Sequence, residues 1–145
     1  MIDEIDKKII QDLIRNARIS CSEIARQVGL SDVAISKRIR RLEENRVILR
    51  YTTIVDPIKI GYSKVSYTGL NVRPENLIDV INSLKERDYI KYLAVTTGDH
   101  NLIAVIWARS GEELLHIHEE MKKIPGVINV YPAMITDVIK NEAYF

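Results

Sequence analysis

The sequence predicts an α+β chain in two parts: a three-helix N-terminal unit and a C-terminal ferredoxin-like unit of order β-α-β-β-α-β. Three observations predict this. Apolar residues recur at helical spacing from Asp3 to Glu44, with a capping serine before the second and third runs. Beyond Lys64, short β-rich runs exchange places with amphipathic helical runs. No apolar stretch approaches the ~20 residues that a membrane-spanning helix needs, and 46% hydrophobic with 28% charged residues suits packed globular units.

The first helix is expected from Asp3 to Asn16. Ile2, Ile5, Ile9 and Leu13 form its core stripe, and Ile10 and Ile14 widen that stripe toward a second domain or a partner subunit. The second helix has a full start signal. Ser20 is its N-cap, with Glu23 three residues later completing a capping box. Ile19 and Ile24 are placed to form a hydrophobic staple. Ile24, Ala25 and Val28 face inward, and Gly29 ends the helix in a left-handed conformation. The third helix restarts at once, capped by Ser31, with Ile35, Ile39 and Leu42 on its buried side. Two short helices joined by a tight turn and closing on a first helix make a helix-turn-helix arrangement.

The third helix carries the basic run Ser36-Lys37-Arg38-Ile39-Arg40-Arg41. Such a helix suits the major groove of DNA. Ser31, Asp32, Val33 and Ala34 are expected at base edges, with Ser36 and Lys37 just behind; small side chains there allow close approach, and Val33 or Ala34 can meet a thymine methyl. Lys37, Arg40 and Arg41 are expected to reach phosphates or guanine edges, and Arg38 a phosphate from the side. The alternative is a solvated helix face with no ligand. Residues 1–50 hold 11 Lys+Arg and 8 Asp+Glu, a net of +3, while residues 51–145 hold 10 and 12, a net of −2. That sign fits a DNA-facing front.

Val47–Asp56 is rich in β-branched and aromatic residues and reads as a strand or ribbon. Asp56-Pro57 and Gly61 then punctuate the chain ahead of Lys64. The expected organisation is therefore 1–50 for the DNA-binding unit, 51–62 for the strand and linker, and 63–145 for the second unit. In that unit, strands are expected at Lys64–Val72, Tyr89–Thr97, Asn101–Arg109 and Val127–Ile139, the last interrupted by Pro132. Helices are expected at Pro74–Arg87 and Gly111–Ile124. Both faces of the third strand are apolar: Leu102, Ala104, Ile106 and Ala108 on one, Ile103, Val105 and Trp107 on the other. Two helices cover only one face of a four-stranded sheet, so the other calls for a second copy of the chain.

Catalytic signals are missing. His116 and His118 lie about 200° apart on a helix, so they cannot clamp one metal. His118 is expected at the core edge and His116 in solvent. No phosphate-binding glycine loop, HExxH or nucleophile elbow is present. Cys21 is the one cysteine, expected to pack near the start of its helix; it forbids an internal disulfide and fits a reducing cytoplasm. The acidic N-terminal residues carry no export signal. No enzyme activity, metal or cofactor is expected. The turn Gly98-Asp99-His100-Asn101 reads either as a plain hairpin or as a ligand contact.

The chain resembles the leucine-responsive/asparagine regulator (Lrp/AsnC, or feast/famine) family. The likeness runs through Ile5-Asp6-Lys7-Lys8-Ile9-Ile10, Ala17-Arg18-Ile19-Ser20, Glu23-Ile24-Ala25, Val28-Gly29-Leu30-Ser31, Arg38-Ile39-Arg40-Arg41-Leu42-Glu43, Val47-Ile48, Asp56-Pro57, Gly61, Thr97-Gly98-Asp99 and Pro125-Gly126-Val127. The resemblance implies a winged-type helix-turn-helix unit and a RAM-type ferredoxin-like unit. It further implies homodimers that commonly build octamers, promoter DNA as partner, and an amino-acid-type effector held between subunits near Thr97, Gly98, Asp99, His100 and Asn101. Two residues depart from the family pattern: Asn101 stands where an Asp is usual, and Arg46 where a Gly is usual. Asn45 is expected to take the left-handed conformation instead, with Arg46 adding a cation near DNA. A sequence-specific regulator is thus expected; the alternative is an architectural DNA-binding protein without an effector.

Overall fold

The computed structural model describes residues 2–141 and divides the chain into two compact units, one of residues up to Ile54 together with Lys140 onward and the other spanning Val55–Ile139.

The first unit holds α1 (Glu4–Arg15), α2 (Cys21–Val28) and α3 (Asp32–Glu44). Its core is Ile9, Ile24, Ala25, Ile35 and Leu42, with Ile5, Ile10, Leu13, Val28 and Ile39 packed around them. Ile2 and Ile14, expected on the inward stripe or its margin, are exposed. Cys21 packs against the core as a free thiol. Ser20 and Ser31 are the N-caps of α2 and α3, each accepting from the backbone N–H three residues on. The complete reciprocal capping box forms elsewhere than expected, at α1, between Asp3 and Asp6.

The ribbon expected over Val47–Asp56 is not a strand, and among the described residues this unit has no wing. Strand-rich composition reports a side-chain preference for pleated, half-buried surfaces, and a strand forms only where a neighbour supplies backbone partners. Here the first backbone donors serve α3 instead: the N–H groups of Val47 and Ile48 both donate to the Leu42 carbonyl, at 2.8 and 3.1 Å. Tyr51 then donates from its hydroxyl to Glu43 at 2.7 Å. Burial, with the Glu43 carboxylate beside it, pushes the Tyr51 phenol up to about 12, so it stays a donor.

The second unit holds β1 (Lys64–Val72), α4 (Leu77–Lys85), β2 (Ile90–Val95), β3 (Leu102–Ala108), α5 (Gly111–Lys122) and β4 (Val127–Met134). The four strands form one antiparallel sheet of order β2-β3-β1-β4, the split β-α-β-β-α-β arrangement. Pro132 lies within β4, opposite Thr68. β4 is an edge strand, where a missing N–H is tolerated. Between β1 and α4, Pro74–Asn76 form a 3-10 turn, so α4 begins later than expected.

Alternate β3 residues, Leu102, Ala104, Ile106 and Ala108, are fully buried with Val80, Leu84, Leu114, Ile117 and Met121 from the two helices. The same face holds one polar chain. His118 Nε2 lies 2.9 Å from Thr68 Oγ1, which lies 3.0 Å from Ser66 Oγ. Burial, reinforced by Lys122, holds the His118 imidazole below its ordinary value, with Glu119 opposing. Its folded pKa is thus below the unfolded one, about 6.5. The neutral ring therefore contributes stability that is full above that pH and is lost as pH falls through the folded pKa. Chemical denaturation at pH 7.5 and 5.5 is expected to show lower stability at the acid pH, with the difference reduced in His118→Leu.

The opposite face is open. It carries Ile103, Val105 and Trp107 from β3, Tyr67 and Gly69 from β1, Tyr92 from β2 and Tyr131 from β4. Tyr67, Tyr92 and Tyr131 are each at least 40% exposed. No helix of the described residues is long and apolar enough to cross a membrane.

Candidate nucleic-acid interface

Gly29 ends α2 at φ +69°, which frees Ser31 to cap α3 two residues later. The Ser22 hydroxyl also donates to the Asp32 carboxylate, tying the start of α2 to the start of α3. The turn between the two helices is therefore held from both sides, and α3 is presented as a rigid rod.

Ile35 and Leu42 are buried on α3, which sets the outward direction of the rest. Ser31, Asp32, Val33, Ser36, Lys37 and Arg40 are exposed, and Ala34 is half-buried. Val33 is 64% exposed, an apolar group facing solvent at the front of a basic helix. Arg40 pairs with Glu44 at 2.9 Å, but both side chains are well exposed, and such a pair is worth only ~0.3–0.5 kcal/mol. Lys37 and the Arg46 guanidinium have no side-chain partner among the described residues.

Arg38 and Arg41 differ from expectation. Asp6 is completely buried on α1 and takes both of them: Arg38 Nη1 donates to Oδ1 at 2.8 Å, and Arg41 Nη2 to Oδ2 at 2.6 Å. Arg38 donates to Asp3 as well, at 2.7 Å. The two carboxylates raise the Arg38 guanidinium above its ordinary value. The Asp6 backbone bond, followed by Arg38, lowers Asp3. Arg38 is thus spent inside the unit, and Arg41 has one of its five donors committed to Asp6. The sequence reading does not single out Asp6 as the partner of these arginines. The signal was there: it sits three residues before Ile9 on the inward stripe, and three after Asp3 in a capping-box spacing.

At the end of α3, Arg46 itself takes the left-handed conformation, at φ +55°, and Asn45 does not, at φ −83°. The expected assignment to Asn45 is reversed. The Asn45 carboxamide donates instead to the Arg41 carbonyl at 2.8 Å. A non-glycine residue in this conformation costs about 1–2 kcal/mol, while glycine costs about 0.5–1 kcal/mol in unfolded-chain entropy. Arg46→Gly is therefore expected to stabilise the chain by roughly 0.5–1 kcal/mol in denaturant unfolding. If Arg46 meets a phosphate, the same change weakens DNA binding, so stability and affinity move in opposite directions.

In the second unit, Thr97–Asn101 lie between β2 and β3, with Gly98 at φ +104°. Thr97, Gly98 and Asp99 are exposed, and His100 and Asn101 half-buried. Asn101 pairs with the Val72 backbone in both directions: Val72 N–H donates to Oδ1 at 2.9 Å, and Nδ2 donates to the Val72 carbonyl at 2.6 Å. A carboxylate at this position would lack the second bond, because it has no N–H. His100 lies over Gly69, where a Cβ would come 2.3 Å from its ring, and tilts against Tyr131 with centroids 4.8 Å apart. Its Nδ1 is 3.3 Å from Asn71 Oδ1. Gly69, Asn71 and Tyr131 were not singled out from the sequence, since only strand register brings them together.

A helix-turn-helix built in this way, followed by this sheet, matches known proteins along the chain. The AsnC-type helix-turn-helix domain matches residues 2–43, and the C-terminal dimeric alpha+beta barrel domain matches residues 72–145. The transcriptional regulator LrpA of Pyrococcus horikoshii is 45% identical over 97% of this chain and 100% of its own length. The chain belongs to the Lrp/AsnC family of transcription regulators. This Lrp/AsnC protein is also 33% identical to regulator FL11 of the same organism, over 92% of this chain and 89% of that protein. Among solved structures, Escherichia coli AsnC shares its fold at a TM-score of 0.88 and 21% identity, covering 99% and 98% of the two chains. A feast/famine regulatory protein of M. tuberculosis, solved with L-methionine, does so at 0.90 and 20% identity, covering 100% and 99%. The chain is a transcription regulator with a helix-turn-helix DNA-binding domain, and its family is not one of enzymes.

Proposed function

We propose that this Lrp/AsnC protein is a sequence-specific regulator that binds double-stranded DNA as a homodimer and answers to a small amino-acid-type effector. The observation that carries the DNA reading is the outward face of α3, where Val33, Ser36, Lys37 and Arg40 are exposed together while the apolar side is fully packed. Ser31, Asp32, Val33, Ala34, Ser36 and Lys37 form the base-reading end, with Asp32 also fixed by Ser22. Arg40 and Arg46 meet phosphates. Arg38 leaves this set, because two carboxylates neutralise it.

The open sheet face supports the dimer. Its apolar and aromatic surface is the kind that a second copy buries, and the matched C-terminal domain is described as dimeric. Higher assembly, to octamers, is the further step in this proposal. The chain acts in the cytoplasm, where its DNA lies.

The effector reading rests on the exposed Gly98 turn and on the methionine held by one solved relative of the same fold. The Gly98 N–H can receive a carboxylate, and Asp99 supplies an anion for an ammonium group. Asn101 is assigned to holding the turn on Val72, so it does not meet the effector.

The test is DNA affinity of the full chain with Lys37→Ala across a salt series. Loss of one phosphate contact is expected to reduce the slope of log affinity against log salt by about 0.9, and loss of a base contact to cost about 1–3 kcal/mol on the preferred site. Unchanged binding in both respects would remove α3 from the interface. For the effector, a stabilising amino acid raises the melting temperature by linkage, and Asp99→Ala is expected to abolish that rise with the dimer intact.

A further inference from the structure

Asp6 gathers three donors at a site that no base or phosphate can reach. Its side chain has no solvent exposure. Oδ1 takes Arg38; Oδ2 takes Arg41 at 2.6 Å and the Asp3 N–H at 3.1 Å. Its own N–H donates to Asp3 Oδ1 at 2.9 Å. The carboxylate is therefore fixed to the first turn of α1, and its position is set by backbone.

The two arginines it holds are not equivalent. The Arg38 side chain is 24% exposed and faces two carboxylates, both on the same nitrogen. The Arg41 side chain is 50% exposed and meets Asp6 through Nη2 alone. A guanidinium has five N–H donors in a planar fork. One donor of Arg41 is anchored, and the rest of the fork has no partner among the described residues. Its backbone is pinned too, since the Asn45 side chain donates to its carbonyl. Arg41 follows Lys37 by four residues, so the two lie about 40° apart around α3, one turn apart along it. The Arg41 side chain also lines a recess of about 250 Å³ with Ile2, Asp6, Leu42, Asn45 and Val47.

We infer that Asp6 is a positioning residue for DNA binding: it holds one corner of the Arg41 fork, so that the free edge meets a single backbone phosphate beside the Lys37 contact. Arg38 completes the neutral cluster of Asp3, Asp6 and the two arginines, and makes no DNA contact. This inference rests on the reading of α3 as the DNA-binding helix. Of the two contacts expected for Arg41, phosphate or guanine edge, it selects the phosphate, with a buried acid as the buttress. A held guanidinium loses less freedom on meeting a phosphate than a free one does.

The experiment compares DNA affinity over a salt series for the full chain and for Asp6→Asn, Arg41→Ala, Arg41→Lys, Asp3→Asn and the Asp6→Asn/Arg41→Ala double variant, with folding checked by circular dichroism. Asp6→Asn removes a negative charge near DNA, so charge alone predicts tighter binding. The inference predicts weaker binding, by about tenfold, with a salt slope lower by about 0.9. Arg41→Ala is expected to give the same loss, and the double variant no more than either single one. Asp3→Asn removes the same charge without touching Arg41 and is expected to keep the wild-type slope. Arg41→Lys keeps the charge but cannot hold Asp6 and a phosphate on separate edges, so it is expected to bind like Arg41→Ala. That variant carries the test even if Asp6→Asn fails to fold. Tighter or unchanged binding by folded Asp6→Asn, or wild-type binding by Arg41→Lys, overturns the inference. If Lys37→Ala also binds as wild type, the DNA reading of α3 itself falls; if Lys37→Ala is impaired, only the role of Asp6 does.

Discussion

Asp6→Ala is expected to lower the unfolding free energy by about 2–3 kcal/mol. Removing one member of a fully buried ion pair costs ~3–5 kcal/mol, mostly because the remaining charge is left without a partner. Here the carboxylate is buried but both guanidiniums reach solvent, so each is partly rehydrated after the change. The loss has three parts: two charge-assisted hydrogen bonds between α1 and α3, and half of the capping box that starts α1. Capping alone is worth ~1 kcal/mol. Urea unfolding at neutral pH measures the sum. A change below ~0.5 kcal/mol, the usual range for surface substitutions, would mean that the network does not hold α1 against α3.

A carboxylate at position 103 is expected to break the proposed dimer. Ile103 lies on the open face of the sheet, at one end of the apolar stripe it forms with Val105 and Trp107. In the free chain Ile103→Asp places its charge toward water, and the helix-covered core is untouched. In a two-fold dimer the same change puts two carboxylates into one interface, because each subunit presents the same patch. An unpaired buried charge costs about 3 kcal/mol or more. Two cost roughly 6 kcal/mol, which weakens association by about four decades. Sedimentation equilibrium is expected to show Ile103→Asp as a folded monomer where the wild type is a dimer or larger. DNA affinity is expected to fall with it, since a monomer presents one recognition helix. An unchanged mass would move the subunit interface off the sheet.

Much of this was legible in the sequence, and for identifiable reasons. Ser20, Gly29 and Ser31 act through their own backbone neighbours, so local spacing was enough to place both ends of α2 and the start of α3. The alternation of β3 marked both of its faces, and with them the open surface. His118 was expected at the core edge and is buried there. The features that were not legible depend on partners distant in the chain. Arg38 and Arg41 read as a basic face because Asp6 lies 32 and 35 residues away from them. Val47–Asp56 read as a strand because side-chain preference says nothing of whether a neighbouring strand exists. The left-handed residue at the end of α3 was placed one position early, on the residue type that tolerates it best. The chain geometry assigns it to Arg46. Asn101 stood out as a departure from its relatives, and its two bonds to Val72 give that departure a structural reason.

The central claim is that α3 reads sequence and does not merely adhere to phosphates. The direct measurement is selection of duplexes from a randomised pool by the full chain, followed by the affinity ratio of the selected site to a scrambled duplex at fixed, physiological salt. A two-fold-symmetric site and a ratio of ~10³ or more are expected, the ratio falling toward one in Val33→Asp. A pool that yields no shared site, with a ratio near one and only a steep salt dependence, would contradict it.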